Sequence, residues 1–204
     1  MAKESNVKNM LLCLFMVSMV TSAFLGGAYV LTYEQIEESK KNEVNHAIAQ
    51  VVPPFDNFPS EELIEKEVNG KKVKISPAIL KGVPCGYAVE ASTTTGFSGL
   101  IVLMVGFLPD GTIYNTAVIS HAETPGLGDK MEQKKSKWSV QFNGKNPSDF
   151  QLSVKKDGGD VDAITASTIS SRAFCDAVNT AYQAFLSVME TTSTQQNIGE
   201  ESDE

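Results

Sequence analysis

The chain has 204 residues, a net charge of −8 and a hydrophobic content of 42%. That length allows one ordinary domain plus extra segments, and the acidic balance removes nucleic acid from the candidate partners, because no basic surface is left to neutralise phosphates. Three cysteines without a CxxC pair and two scattered histidines, His46 and His121, argue against a metal centre built by this chain alone.

From the N-terminus, Met10 to Leu31 read MLLCLFMVSMVTSAFLGGAYVL without a charge. Roughly 20 apolar residues at about 1.5 Å each cross a bilayer core of about 30 Å, so residues 9–32 are predicted to form a single transmembrane helix. A cleaved signal peptide is the alternative, but its apolar stretch usually runs only about 7–15 residues. Lys3 and Lys8 precede the span, and Glu34, Glu37 and Glu38 follow it. This asymmetry puts residues 1–8 in the cytoplasm and the chain after the span outside the cytoplasmic membrane. Ser18, Ser22 and Gly26 share one helix face. Such spacing admits a second transmembrane helix at close range, and it also arises by chance in apolar spans. Cys13 lies in the span, while Cys85 and Cys175 are free to pair in an oxidising compartment without any spacing that requires it.

The helix is expected to continue as a solvated stalk over residues 33–54, ended by Pro53 and Pro54. A domain over residues 55–190 follows. Asn69-Gly70 is the favoured two-residue hairpin turn between alternating segments. CGYAVEAS reads as a short strand. GLIVLMVGF and TIYNTAVIS read as two strands joined at Pro109-Asp110-Gly111. The first of these is almost continuously apolar, as for a strand covered on both faces. HAETPGLGDK breaks the pattern through Pro125, Gly126 and Gly128. FQLSV alternates again and predicts a further strand. From Arg172 to about Met189, the residues Phe174, Val178, Ala181, Phe185 and Met189 recur at helical spacing. Residues 191–204 are polar and acidic and are expected to be disordered. The fold class is α+β: one N-terminal transmembrane helix, then a small domain with an antiparallel sheet and a closing C-terminal helix.

Five hydroxyls crowd into residues 165–171: Thr165, Ser167, Thr168, Ser170 and Ser171. They sit where the closing helix begins. A helix start leaves about four backbone N–H groups unpaired and carries partial positive charge. Serine and threonine cap such ends, and the same groups make a phosphate site, with Arg172 available for a charge-assisted contact. The glycine-rich nucleotide motifs GxGxxG and GxxxxGK[ST] are absent from the sequence. On residues alone, cap and phosphate site both stand.

DAITASTIS, residues 162–170, resembles the flavinylation motif of the FMN-binding domain family: an Asp, then Ser/Thr-Gly-Ala-Thr, one residue, and Ser/Thr. Thr165 takes the first hydroxyl place, Ala166 and Ser167 replace Gly-Ala, Thr168 takes the threonine place and Ser170 the last. HAETPGLGDK, residues 121–130, resembles the His-x-Glu-Thr-Pro-Gly-Leu-Gly loop of the same family, and GFSGLIVLMVGFLPDGTI resembles its Gly-Tyr-Ser-Gly strand pair. With the N-terminal span, the likeness extends to the G subunits of Rnf complexes, which are ion-translocating ferredoxin–NAD oxidoreductases. The C subunits of sodium-translocating NADH–quinone reductases are a close cousin.

The resemblance implies a covalent FMN, joined through a phosphoester to Thr168 by a flavin transferase that uses FAD, with Thr165 as the fallback. It implies that Ser167 and Ser170 flank the attachment, and that His121, Glu123, Thr124, Leu127 and Gly128 form the flavin loop, with Glu123 tuning the ring directly or by ordering the loop. Lys130 is a nearby cation, either paired with local charge or solvated. Tyr87 and Trp138 are read as core side chains, with stacking on the flavin as the alternative. The implied function is electron relay within a membrane complex that moves Na⁺ or H⁺, with the other subunits as partners and no independent catalytic site. A membrane-anchored flavin-binding regulatory module is the rival.

Overall fold

The structure, a computed structural model, describes residues 7–200, with side-chain environments for residues 7–191. The N-terminal Lys3 and the last four residues of the expected tail lie outside the described residues. The elements are helix α1 (Val7–Val51), strands β1 (Ile64–Val68), β2 (Lys71–Leu80), β3 (Val83–Gly96), β4 (Gly99–Phe107) and β5 (Ile113–His121), and helix α2 (Thr168–Glu200). Two compact units divide the chain, residues 1–43 and residues 44–204.

The first unit holds most of α1. This helix contains a window of mean hydropathy 2.0 in which no residue is buried, and it is long and apolar enough to cross a membrane. The Ser18 hydroxyl is satisfied within the helix, donating to the Leu14 carbonyl at 2.7 Å.

The second unit is built on an antiparallel meander in the order β1-β2-β3-β4-β5. Its turns follow from local chemistry. Asn69 and Gly70 take φ of 52° and 74°, the positive pair required by a type I′ turn, and they set Val68 opposite Lys71. Lys81 and Gly82 repeat this at φ of 54° and 81° between β2 and β3, a turn that no sequence signal singled out. Alternation then sorts the side chains. Tyr87, Val89, Ala91, Ile101, Leu103, Val105 and Phe107 face α2, which contributes Phe174, Ala177, Val178, Ala181 and Phe185 at the expected helical spacing. Phe185 stacks on Phe107 at 5.1 Å between ring centres, and Phe174 meets Trp138 edge-on at 5.1 Å. Each such aromatic pair adds about 0.5–1.5 kcal/mol beyond its buried area.

The opposite face of the sheet carries a second core. Ala47, Ile48 and Val51, from the end of α1, and Val52 just after it cover Ala78, Ala88 and Met104. Strand β4 is thus covered on both faces, as its apolar run predicts. The second compact unit begins at Val44, and the last turns of α1 are part of its core. Two glycines make the seat. A Cβ on Gly106 would come within 1.6 Å of the Val51 carbonyl oxygen, and one on Gly86 within 3.0 Å of Pro53.

One expectation is corrected. FQLSV is not a strand: Val154 makes one isolated bridge to Val161, and the alternation reflects Phe150, Leu152 and Val154 turning toward the core from a loop. Helix α2 extends to Glu200. Cys85 and Cys175, whose pairing the spacing left open, are free, and they pack on opposite faces of the sheet, which keeps them apart.

Candidate flavin site

One cleft of about 340 Å³ is lined by Glu123, Thr124, Leu127 and Gly128 from the loop after β5, by Ala166, Ser167, Thr168, Ile169 and Ser170 at the start of α2, and by Phe97 from the β3–β4 turn. The two stretches marked by the sequence, 121–130 and 162–170, therefore meet in space.

Helix α2 starts at Thr168, with the Ser171 N–H closing onto the Ser167 carbonyl at 3.1 Å. The first N–H groups of a helix have no partner within it, so the floor of the cleft is a cluster of donors at the positive end of a helix dipole. The preceding turn places Ala166 at φ 61°. This is the left-handed region, where the resembling motif has glycine and where a Cβ costs roughly 1 kcal/mol. Ala166→Gly is therefore expected to raise stability by at most about 0.5 kcal/mol after the extra freedom of the unfolded glycine is subtracted. Thermal unfolding of the two proteins side by side checks this.

Glu123 is the clamp of the site. Its side chain is buried. Oε1 accepts the Ser98 N–H at 2.9 Å, and Oε2 accepts the Ser170 hydroxyl at 2.5 Å, while Ser167 and Ser170 are joined at 2.8 Å. One carboxylate thus ties the β3–β4 turn, the flavin loop and the start of α2. Space for it exists only because two neighbours lack a side chain. A Cβ on Gly96 would lie 2.8 Å from Oε1, and one on Gly128 would lie 2.6 Å from Oε2.

The hydroxyl cluster divides by this geometry. Ser167 and Ser170 belong to the Glu123 chain, and the Ser171 hydroxyl donates to the Ser167 carbonyl at 3.0 Å and accepts the Ile164 N–H at 2.9 Å. Thr165 is exposed and does not line the cleft. Thr168 is half-buried, lines the cleft, and among the described residues no hydrogen bond engages its hydroxyl.

Other expected residues lie elsewhere. His121 stands behind the loop: its Nδ1 accepts the Glu123 backbone N–H at 3.0 Å. Lys130 is outside the cleft lining. Arg172 does not reach the cleft, because Asp157 holds its guanidinium at 2.6 and 2.7 Å, and this hydrogen bond holds the Asp157 carboxyl below its usual range. Trp138 spends its N–H on the Asp162 carbonyl and packs against Phe142 and Phe174, and Tyr87 packs against Phe185, so both are core rather than stacking groups. The sequence reading missed Phe97 and Ile169, which are 68% and 47% exposed on the rim. The signal for Phe97 was an aromatic between two glycines, Gly96 and Gly99, where a turn offers it no core.

Behind the loop, Lys135 pairs with Asp129 at 2.9 Å and approaches Glu132 at 3.8 Å. The hydrogen bond from Lys135 holds the Asp129 carboxyl below its ordinary value. A depressed carboxyl stabilises the fold above the ordinary carboxyl pKa of about 4, and the contribution disappears as pH falls through the folded value. Asp129→Asn is expected to lower the unfolding midpoint at neutral pH and to flatten its fall in acid. Unfolding curves across that range, wild type against variant, check this.

This arrangement defines a flavin-binding class of protein: residues 96–183 match the FMN-binding domain family. The chain is 36% identical to the G subunit of the ion-translocating oxidoreductase complex of Vibrio atlanticus over 181 residues, which cover 84% of this chain and 87% of that one. It is 34% identical to the protein of the same name from Shewanella baltica over 194 residues, covering 90% and 91%. With that of Erwinia tasmaniensis it shares 49% identity over 98 residues, 47% of each chain. The chain belongs to the family formed by the G subunits of ion-translocating oxidoreductase complexes.

Proposed function

We propose that this chain is the electron-transfer flavoprotein subunit of an Rnf-type complex, an ion-translocating ferredoxin–NAD oxidoreductase, with FMN held as a phosphoester on Thr168. The observation that carries the reading is the state of the Thr168 hydroxyl: it lines the cleft and no described residue engages it, while Ser167, Ser170 and Ser171 are committed to internal bonds. A flavin transferase acting on FAD would leave the Thr168 oxygen bonded to the flavin phosphate, with AMP as the leaving group and the hydroxyl proton passing to a base.

The residues present fit such a group. Unpaired N–H groups at the start of α2 suit a phosphate. The apolar surfaces of Phe97, Leu127 and Ile169 suit a ring system, and Thr124 adds a polar edge. Bound FMN supplies one-electron redox chemistry, and the protein sets its position and electrostatics. Glu123 acts by holding the loop, since both its oxygens are engaged. A covalent tether suits a domain outside the cytoplasm, where a lost cofactor is not readily replaced. In this reading residues 9–32 cross the membrane, the N-terminus lies in the cytoplasm, and the flavin domain works on the far side among the other subunits of the complex.

Membranes carrying Thr168→Ala test the relay. Ferredoxin-driven NAD reduction is expected to disappear while the complex remains assembled, and unchanged activity would overturn the reading.

A further inference from the structure

His121 ends β5 with its imidazole beneath the flavin loop. Its Nδ1 accepts the Glu123 backbone N–H at 3.0 Å, and its Nε2 lies 2.7 Å from Glu132 Oε1. A ring nitrogen that accepts a backbone N–H carries no proton, so the proton sits on Nε2 and is donated to Glu132. The bond joins residue i to the N–H of i+2. That is the closure an asparagine or aspartate side chain makes in an Asx turn. The side chain is only 11% exposed, so water is a poor substitute for it.

The charged groups around the ring come from three places. Glu123 belongs to its own loop, Asp129 to the short 3₁₀ turn Gly128–Met131, and Glu132 and Lys135 to the segment after it. Strand β4, which pairs with His121 through Ile101, brings no titratable side chain. A second ring proton, on Nδ1, would face the Glu123 N–H head-on and break the bond that shapes the loop.

We propose that His121 is the positioning residue of the flavin loop: neutral, it holds the Glu123 amide and orders residues 122–128, and its protonation releases them. Its consequence for the cofactor rests on the flavin reading above, but the loop's behaviour is measured without flavin.

The test uses the full-length chain in detergent, made without a flavin transferase, and follows amide hydrogen exchange of residues 122–128 corrected for intrinsic rates. Two conditions are compared, about pH 8 and about pH 5.5. His121→Asn keeps an acceptor for the Glu123 N–H and does not titrate, whereas His121→Ala offers none. Wild-type protection is expected to fall by roughly fivefold or more on acidification, the loss of about one hydrogen bond. His121→Asn is expected to hold its protection at both pH values, and His121→Ala to be weakly protected at both. His46 remains in every variant, so a wild-type-sized fall in His121→Asn overturns the proposal. A flat wild type, or full protection in His121→Ala, overturns it as well. Should Thr168 prove never to carry FMN, the flavin reading fails while these exchange results stand or fall by themselves.

Discussion

Gly106→Ala is expected to remove much of the flavin domain's stability, about 3 kcal/mol or more, at the upper end of what overpacking costs. The new methyl would sit 1.6 Å from the Val51 carbonyl oxygen. A side chain in its place could swing aside, but a backbone carbonyl at the end of a helix moves only if the helix moves. Shifting α1 pulls Ile48, Val51 and Val52 off Met104, Ala78 and Ala88, so the second core opens with it. For a domain of this size, that cost is a drop of about 10 °C in the unfolding midpoint. Gly26→Ala is the matched control, since nothing lies within 4 Å of its added methyl. Near-equal midpoints for Gly106→Ala and wild type would contradict the docking of the helix end on the sheet.

Gly128→Ala is expected to spare most of the fold and disable the site. The added methyl would lie 2.6 Å from Glu123 Oε2 and 2.8 Å from the Ser170 oxygen. It would also lie 2.8 Å from Glu123 Cβ, which side-chain rotation cannot relieve, so the Glu123 carboxylate is displaced. The carboxylate must leave Ser98 and Ser170, the two contacts that join the loop to the β3–β4 turn and to the start of α2. The loss is about 1–3 kcal/mol in stability, and flavin incorporation is expected to fall at least tenfold, because the turn presenting Thr168 is no longer braced. Glu123→Gln is the informative partner variant. Its amide oxygen still accepts the Ser98 N–H, while its NH₂ now donates to the Ser170 oxygen, which itself donated to the carboxylate in the wild type; the Ser167–Ser170 hydroxyls reverse direction and incorporation persists. In-gel flavin fluorescence, normalised to protein, measures both. Full incorporation in Gly128→Ala would show that the clamp does not matter to attachment.

Where local chemistry decides structure, the sequence was legible. Asn69-Gly70 and Pro109-Asp110-Gly111 place their turns because few residues take those dihedrals, and Phe174 to Phe185 announce a buried helix face by spacing. What depends on distant partners was not legible. Phe150, Leu152 and Val154 alternate like a strand, yet the sheet ends at β5 and offers them no ladder. Gly86 and Gly106 read as ordinary strand glycines, although their role is to admit the end of a helix far back in the chain. Arg172 was the natural cation for a phosphate, but Asp157, across a glycine-rich loop, holds it first. The site showed the same division. The two marked stretches carry most of the cleft lining, while Phe97 and Ile169 become rim residues only once the β3–β4 turn is brought beside α2.

The most direct test of the central claim is a peptide map of the full-length protein made together with its flavin transferase. One modified tryptic peptide is expected, residues 157–172, heavier by FMN less one water, with fragmentation placing the adduct on Thr168, and no adduct in Thr168→Ala. Modification at Thr165, retention of the adduct in Thr168→Ala, or an unmodified peptide from a protein that is yellow only until denatured would contradict that claim.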